Sequence, residues 1–230
     1  MPSKNRVKQY VTDSIYHCYN RGVEKRIIFL EKVDYLVFLS YLKEYLSPID
    51  KRGIQNQLSD LNIDYKKREK LVRQLEIKNY ADRVSLLAYC LMPNHFHLLL
   101  YQTDGKAIQE FMQSLMTRFT MYINKKYNRV GPLFQGVYKG VLVISDEQLV
   151  HLSYYIHAQA ILNSKGQTLR VQKPSSLPNY LGQINQLWVK PERILSWFDQ
   201  GSSGDMYSSY QEFMSLPTNK VALISELLLE

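Results

Sequence analysis

The chain has 230 residues, 45% of them hydrophobic, which is enough to bury one sizeable core, and no apolar run reaches membrane-spanning length. A formal net charge of +8 favours an acidic partner, nucleic acid before an anionic membrane surface. Two cysteines exclude a disulfide framework and a four-cysteine zinc site.

The N-terminal stretch MPSKNRVKQY is basic and polar, with no apolar segment behind it. It predicts no secretory leader and a soluble, cytoplasmic protein with reduced thiols. SIYHCYNRG (14–22) alternates and ends in Asn-Arg-Gly, which reads as a first strand and turn. His17 and Cys18 read as packing residues there, as does Cys90 further on. Val33, Leu36, Val37 and Tyr41 recur at helical spacing over 31–46, and Pro48 stops the helix. Residues 49–82 are dense in charge and poor in aromatics, and read as a helical or partly mobile surface insertion with a solvated face.

VSLLAYCLM (84–92) is a buried strand, Pro93-Asn94 a turn, and HFHLLLY (95–101) the returning strand of a hairpin. A long helix over 107–128 turns basic at its C-terminal end, where the helix dipole favours cations. A strand over 136–144 follows Gly131 and Pro132. The next helix, 145–162, has Ser145 as N-cap and acidic residues in its first turn. After Gly166 the texture becomes turn-rich, with short helices. The predicted fold class is α+β: a ferredoxin-like βαββαβ antiparallel sheet with an added helix and a helical tail. The division is a main unit over 1–166, carrying the insertion 49–82, and an appendage over 167–230.

In a strand, side chains at i and i+2 share a face, so His95 and His97 point the same way and Phe96 and Leu98 the other. Two imidazoles so placed can hold one divalent ion, although such a pair standing alone is more often a satisfied core or edge pair. The helix over 145–162 supplies matching chemistry. On a helical wheel Leu149, Leu152, Ser153, Ile156 and Ala160 form the apolar stripe. Tyr154 extends that stripe and reads as packing. Tyr155 and Gln159 stack on the other flank as a polar pair.

The segments YHCYNRG, MPNHFHLLL, GPLFQGVYKG and YIHAQ, in this order, resemble the single-tyrosine HUH transposases over roughly residues 8–165. The branch they are most similar to is that of REP-associated tyrosine transposases and their insertion-sequence relatives. The resemblance implies a ferredoxin-like fold and metal-dependent cutting and rejoining of single-stranded DNA. It puts the two HUH histidines on His95 and His97, the nucleophilic tyrosine on Tyr155, and the third metal ligand on Gln159. Many REP-associated members carry Asn-Pro where this chain has Gln159 and Ala160. The implied ion is Mg²⁺ or Mn²⁺, and the implied partner is single-stranded DNA carrying a hairpin. The implied assembly is either a homodimer or a monomer.

The resemblance also implies a role for Asn20 and Arg21, which match a motif after the first strand. Arg118, Lys125, Lys126, Arg129 and Lys139 gather around the second long helix and the next strand. They read either as a DNA-backbone track or as a solvated helix end. Tyr122 and Tyr138 are alternative nucleophiles. Two other functions compete: a domesticated relative that holds DNA hairpins without cutting them, and a zinc hydrolase built on His-x-His. The hydrolase would recruit an acidic residue or a third histidine close downstream, and HLLLYQT offers none.

Overall fold

The computed structural model describes residues 10–162, 170–171, 173–199 and 209–215. Strand β1 (Ser14–Arg21) leads through a tight turn into helix α1 (Lys32–Leu46). The insertion folds as α2 (Lys51–Leu58) and α3 (Tyr65–Glu76), N-capped by Asp50 and Asp64. Strands β2 (Val84–Met92) and β3 (His95–Gln102) form the hairpin, and α4 (Ala107–Lys126), β4 (Lys139–Val143) and α5 (Asp146–Ala158) follow. A short ribbon pairs β5 (Ile161–Leu162) with β6 (Arg170–Val171). The tail adds α6 (Leu177–Tyr180), α7 (Glu192–Asp199) and α8 (Tyr210–Met214).

The main sheet runs β2-β3-β1-β4 with every pairing antiparallel, which is the ferredoxin-like order expected of βαββαβ. Period-two alternation divides its residues between two cores. Cys18, Phe96, Leu98 and Leu100 face α1 and α4, where Phe38, Leu42, Phe111 and Phe119 are fully buried. Ile15, Ala88, Cys90 and Leu99 face α5 and the tail, with Leu149, Leu152, Ile156, Leu177 and Phe213. Each of the leucine, isoleucine and phenylalanine side chains contributes roughly 1.5–3 kcal/mol on burial. A bulge in β2 shifts the register between Leu86 and Ala88, so Leu87 and Ala88 both join the α5 side.

Three elements differ from the sequence reading. The last helix of the main body ends at Ala158 and not at 162, because the chain turns through Gln159 and Ala160 to place Ile161 and Leu162 in a ribbon. The fourth strand is 139–143 and not 136–144, since residues 134–136 are tied to the end of β1 through Gly22 pairing with Phe134 and Gln135 N–H donating to Arg21 O. On α1, Val33 and Leu36 are exposed, and the buried face runs Asp34, Phe38, Leu42, Tyr45. Hydropathy could not have put the carboxylate of Asp34 inside. It is buried because five donors meet it.

The tail covers the outer edge of β2. Leu91 N–H donates to Pro174 O, Ser176 N–H to Tyr89 O, and Lys190 N–H to Leu86 O. An otherwise open sheet edge is thereby paired. Among the described residues, no helix is long and apolar enough to cross a membrane.

Candidate active site

His95 and His97 stand on the β3 face that α5 covers. Antiparallel pairing sets Arg21 of β1 opposite His95 and Tyr19 opposite His97. His17 lies diagonal to His97, with its Nε2 2.9 Å from His97 Nδ1. The two rings stack at 5.1 Å, and Tyr19 stacks on both, at 4.9 Å from His17 and 5.7 Å from His97.

Helix α5 carries the tyrosine to this cluster. Ser145 caps its start, accepting from Gln148 N–H at 3.1 Å. Its apolar stripe beds on the sheet, and its last turn is held by the tail. His157, fully buried, makes a 2.7 Å contact with the Tyr210 hydroxyl and another with Ser176 Oγ. So anchored, α5 divides its neighbouring tyrosines. Tyr154 is buried against Phe213 at 5.2 Å. Tyr155 is half-buried and meets His97 edge-on at 5.6 Å and His17 at 6.5 Å between ring centroids. The tyrosine and the histidines of one chain thus come together. Gln159 is the half-buried C-cap of α5, one helical turn beyond Tyr155.

Burial pushes His17 down to about 3. Burial, then the neighbouring His17, His95 and Arg21, hold His97 well below its ordinary value. Both rings are therefore neutral near pH 7. His97 Nε2 is buried without a hydrogen-bond partner. An orphaned polar atom of that kind costs about 1–3 kcal/mol. Asn94 Nδ2 donates to Lys25 O at 3.2 Å, which turns Asn94 Oδ1 toward His95 Nδ1 at 2.6 Å. Oδ1 only accepts, so His95 Nδ1 carries its proton and its Nε2 holds the lone pair.

This donor set fits a divalent ion. Imidazole Nε2 atoms are common metal ligands, and each ring's Nδ1 is engaged by a neighbour, as ligating histidines usually are. Among the described residues no three His, Cys, Asp or Glu side chains converge on a point. A third protein ligand would thus be of another kind, and the amide of Gln159 is the one on the Tyr155 flank.

Beside the histidines opens a cleft of about 360 Å³, lined by Tyr19, Arg21, Lys25, His95, Gln135 and Lys139 among others. Among the described residues three cations and no carboxylate line it, so its field attracts anions. Lys139 Nζ lies 5.3 Å above the Tyr19 ring.

The structure separates the cations grouped by sequence. Arg21 and Lys139 reach the cleft. Arg118 lies in the α1–α4 layer, paired with Glu44 at 3.0 Å and stacked 3.9 Å over Tyr41. Lys126 is tied to Asp34 at 2.7 Å and Glu31 at 3.1 Å. Neither of these two shares the face of the histidines, and carboxylates neutralise both. Lys125 is exposed, and Arg129 Nη1 sits 3.4 Å from Asn124 Oδ1, both at the end of α4. Asn20 is buried and organises the loop, donating to Gly136 O at 2.9 Å and accepting from Arg21 N–H at 2.8 Å. Of the alternative tyrosines, Tyr122 donates to Asp34 and Tyr138 accepts from Tyr10, far from the pair.

Sequence reasoning assigned His17 to packing and passed over Tyr19 and Lys25. The alternation of β1 already put His17 and Tyr19 on one face. What was missing was the pairing that brings that face beside His97, across 80 positions of chain.

Residues 62–159 match the family model described as transposase, IS200-like. That stretch is less than half of the chain. It contains both histidines, Tyr155 and Gln159, and leaves out β1 and the tail. No curated protein matches the chain. Among solved structures, a REP-associated tyrosine transposase bound to a REP hairpin is 9% identical, with a TM-score of 0.46 over 91% of this chain and 97% of that one. A candidate transposase from Deinococcus radiodurans R1 is 18% identical, with a TM-score of 0.28 over 67% of this chain and 97% of that one. Likenesses this distant carry no argument about what the chain binds.

Proposed function

We propose, from a chain whose residues 62–159 belong to the IS200-like transposase family, that it nicks and rejoins single-stranded DNA through a 5′-phosphotyrosine on Tyr155. The observation that carries this reading is Tyr155 lying edge-on to His97, whose Nε2 is buried and unpartnered. A nucleophile and a ligand nitrogen in need of a partner meet here, and the other histidine, His95, lines a cationic cleft.

Arg21, Lys25 and Lys139 receive the phosphate backbone and set the scissile phosphate beside Tyr155. Lys125 and Arg129 serve as outer backbone contacts. Tyr155 Oη attacks phosphorus, the new Oη–P bond forms, and the P–O3′ bond breaks. The tyrosine proton is lost and the departing 3′ oxygen gains one, leaving a free 3′-OH. The phosphodiester count is unchanged, so a 3′-OH attacking the Tyr155 ester reverses the step and joins strands without ATP. A divalent ion, Mg²⁺ or Mn²⁺, held by His95, His97 and the Gln159 amide would polarise a non-bridging oxygen and steady the leaving 3′ oxygen. His97 contributes a neutral ring, and the His95 Nδ1 is engaged by Asn94. Because Tyr155 faces the histidines of its own chain, a homodimer is not needed to complete the site. Two buried free cysteines fit a reducing, cytoplasmic setting.

The test is incubation with a hairpin-bearing single strand and Mn²⁺, followed by a denaturing gel. Wild type is expected to give a protein–DNA band and Tyr155→Phe none, with its melting temperature preserved. An adduct that persists in Tyr155→Phe overturns the assignment. Hairpin binding without cleavage by the wild type makes the protein a binding module. Free 5′-phosphate ends without an adduct make it a hydrolase.

A further inference from the structure

We infer that His17 is a positioning residue for the metal site: its Nε2 accepts the Nδ1–H of His97 and thereby fixes His97 Nε2 as a lone pair. This rests on the metal-dependent reading given above. The geometry comes from two strands. His17 and His97 lie on adjacent strands with a 2.9 Å contact and rings nearly parallel, 18° apart. Both are 2% exposed, so water does not compete for the contact.

Two neutral rings share one hydrogen across an N···N contact, and only two assignments exist. If His17 donates, His97 must carry its proton on Nε2, where no hydrogen-bond acceptor meets it. A stranded N–H would then point at the very place where a ligand nitrogen is needed. If His97 donates, its N–H is satisfied by His17 and the exposed valence at Nε2 is a lone pair. The second assignment removes the orphaned donor and leaves a nitrogen able to bind an ion. It also matches His95, where Asn94 Oδ1 imposes the same Nδ1–H tautomer. The two histidines are thus set alike by two unrelated neighbours, one an amide oxygen from the turn and one an imidazole from β1.

His17 is itself held in place. Its strand is paired on both sides, with β3 and with β4, and Tyr19 stacks on its ring at 4.9 Å. A ring so confined cannot rotate away, so the His97 tautomer is settled before any ion or DNA arrives. A packing residue would need the ring's volume only. A positioning residue needs the acceptor at Nε2.

Long-range ¹H–¹⁵N correlation spectra of the metal-free wild-type protein read the tautomer directly. His97 is expected as the Nδ1–H form with an unprotonated Nε2. An Nε2–H form of His97 overturns the inference. Mn²⁺ affinity in the absence of DNA, followed by electron paramagnetic resonance, gives a second reading. His17→Phe keeps ring volume and loses the acceptor, and is expected to weaken Mn²⁺ binding roughly 10–100-fold. His17→Gln offers an amide oxygen and is expected to recover part of that loss at a similar melting temperature. Equal Mn²⁺ affinity in wild type and His17→Phe overturns the inference and leaves the metal site standing. Absence of Mn²⁺ binding by the wild type overturns the metal-dependent reading and this inference with it.

Discussion

The two faces of the sheet each bury a polar cluster, and the clusters are built in opposite ways. On the α1–α4 side, Asp34 receives the backbone N–H groups of Leu30 and Glu31, the hydroxyls of Tyr122 and Tyr127, and the Lys126 ammonium, all at 2.7–3.0 Å. Both carboxylate oxygens are satisfied, and the end of α4 is tied to the start of α1. On the α5 side, His17 and His97 share one contact and His97 Nε2 has none. A closed network stabilises, whereas an open valence in a buried ring costs stability unless something binds there. The first cluster is closed by the fold, and the second leaves one valence open.

Tyr155→Phe and His97→Ala should each lower strand cleavage by about 1,000-fold or more, as expected when a nucleophile or a metal ligand is removed. His97→Ala removes the unpartnered Nε2 but also strands the buried His17 Nε2, so its stability cost should stay below that of losing a fully satisfied buried group. Urea unfolding beside a cleavage assay checks both halves of that statement. Asp34→Ala should do the reverse, lowering stability by about 3 kcal/mol because two backbone N–H groups and two hydroxyls lose their acceptor. Its remaining folded fraction should cleave at the wild-type rate.

Weaker effects separate the cations. Lys139→Ala should weaken single-stranded DNA binding several-fold and reduce the salt slope of log K by roughly 0.7, the loss of one phosphate contact. Arg118→Ala should leave that slope unchanged, since Glu44 already neutralises it. Binding titrations across a salt series distinguish the two. The smallest effect is on acid stability. Burial pushes the Asp34 carboxyl up, but Lys126, the Glu31 N–H and the two tyrosine hydroxyls outweigh it and hold it below its ordinary 3.8. Its contribution is therefore fully present above pH 3.8 and fades as pH falls through the lower folded-state value. Asp34→Asn should flatten that part of the curve of stability against pH.

The same contrast explains what could be read from sequence. The shared face of His95 and His97 was legible because the period of a strand is local, and the one-turn spacing of Tyr155 and Gln159 because the period of a helix is local. The order of strands and helices was enough for the ferredoxin-like topology. His17 was not legible, because its role depends on a neighbour on another strand. Nor was the fate of the cations: whether Arg118 or Lys139 meets DNA depends on which of them finds a carboxylate after folding. Asp34 was hidden by its own polarity, since a charge with five donors behaves as a core residue and hydropathy cannot see donors.

The central claim is that Tyr155 and the histidines of the same chain form one cleaving site. It is tested most directly by peptide mass spectrometry of the wild-type protein after reaction with single-stranded DNA and Mn²⁺. The account predicts a 5′-phosphodeoxynucleotide on the peptide containing Tyr155. Attachment at Tyr19, which lines the cleft, would contradict it.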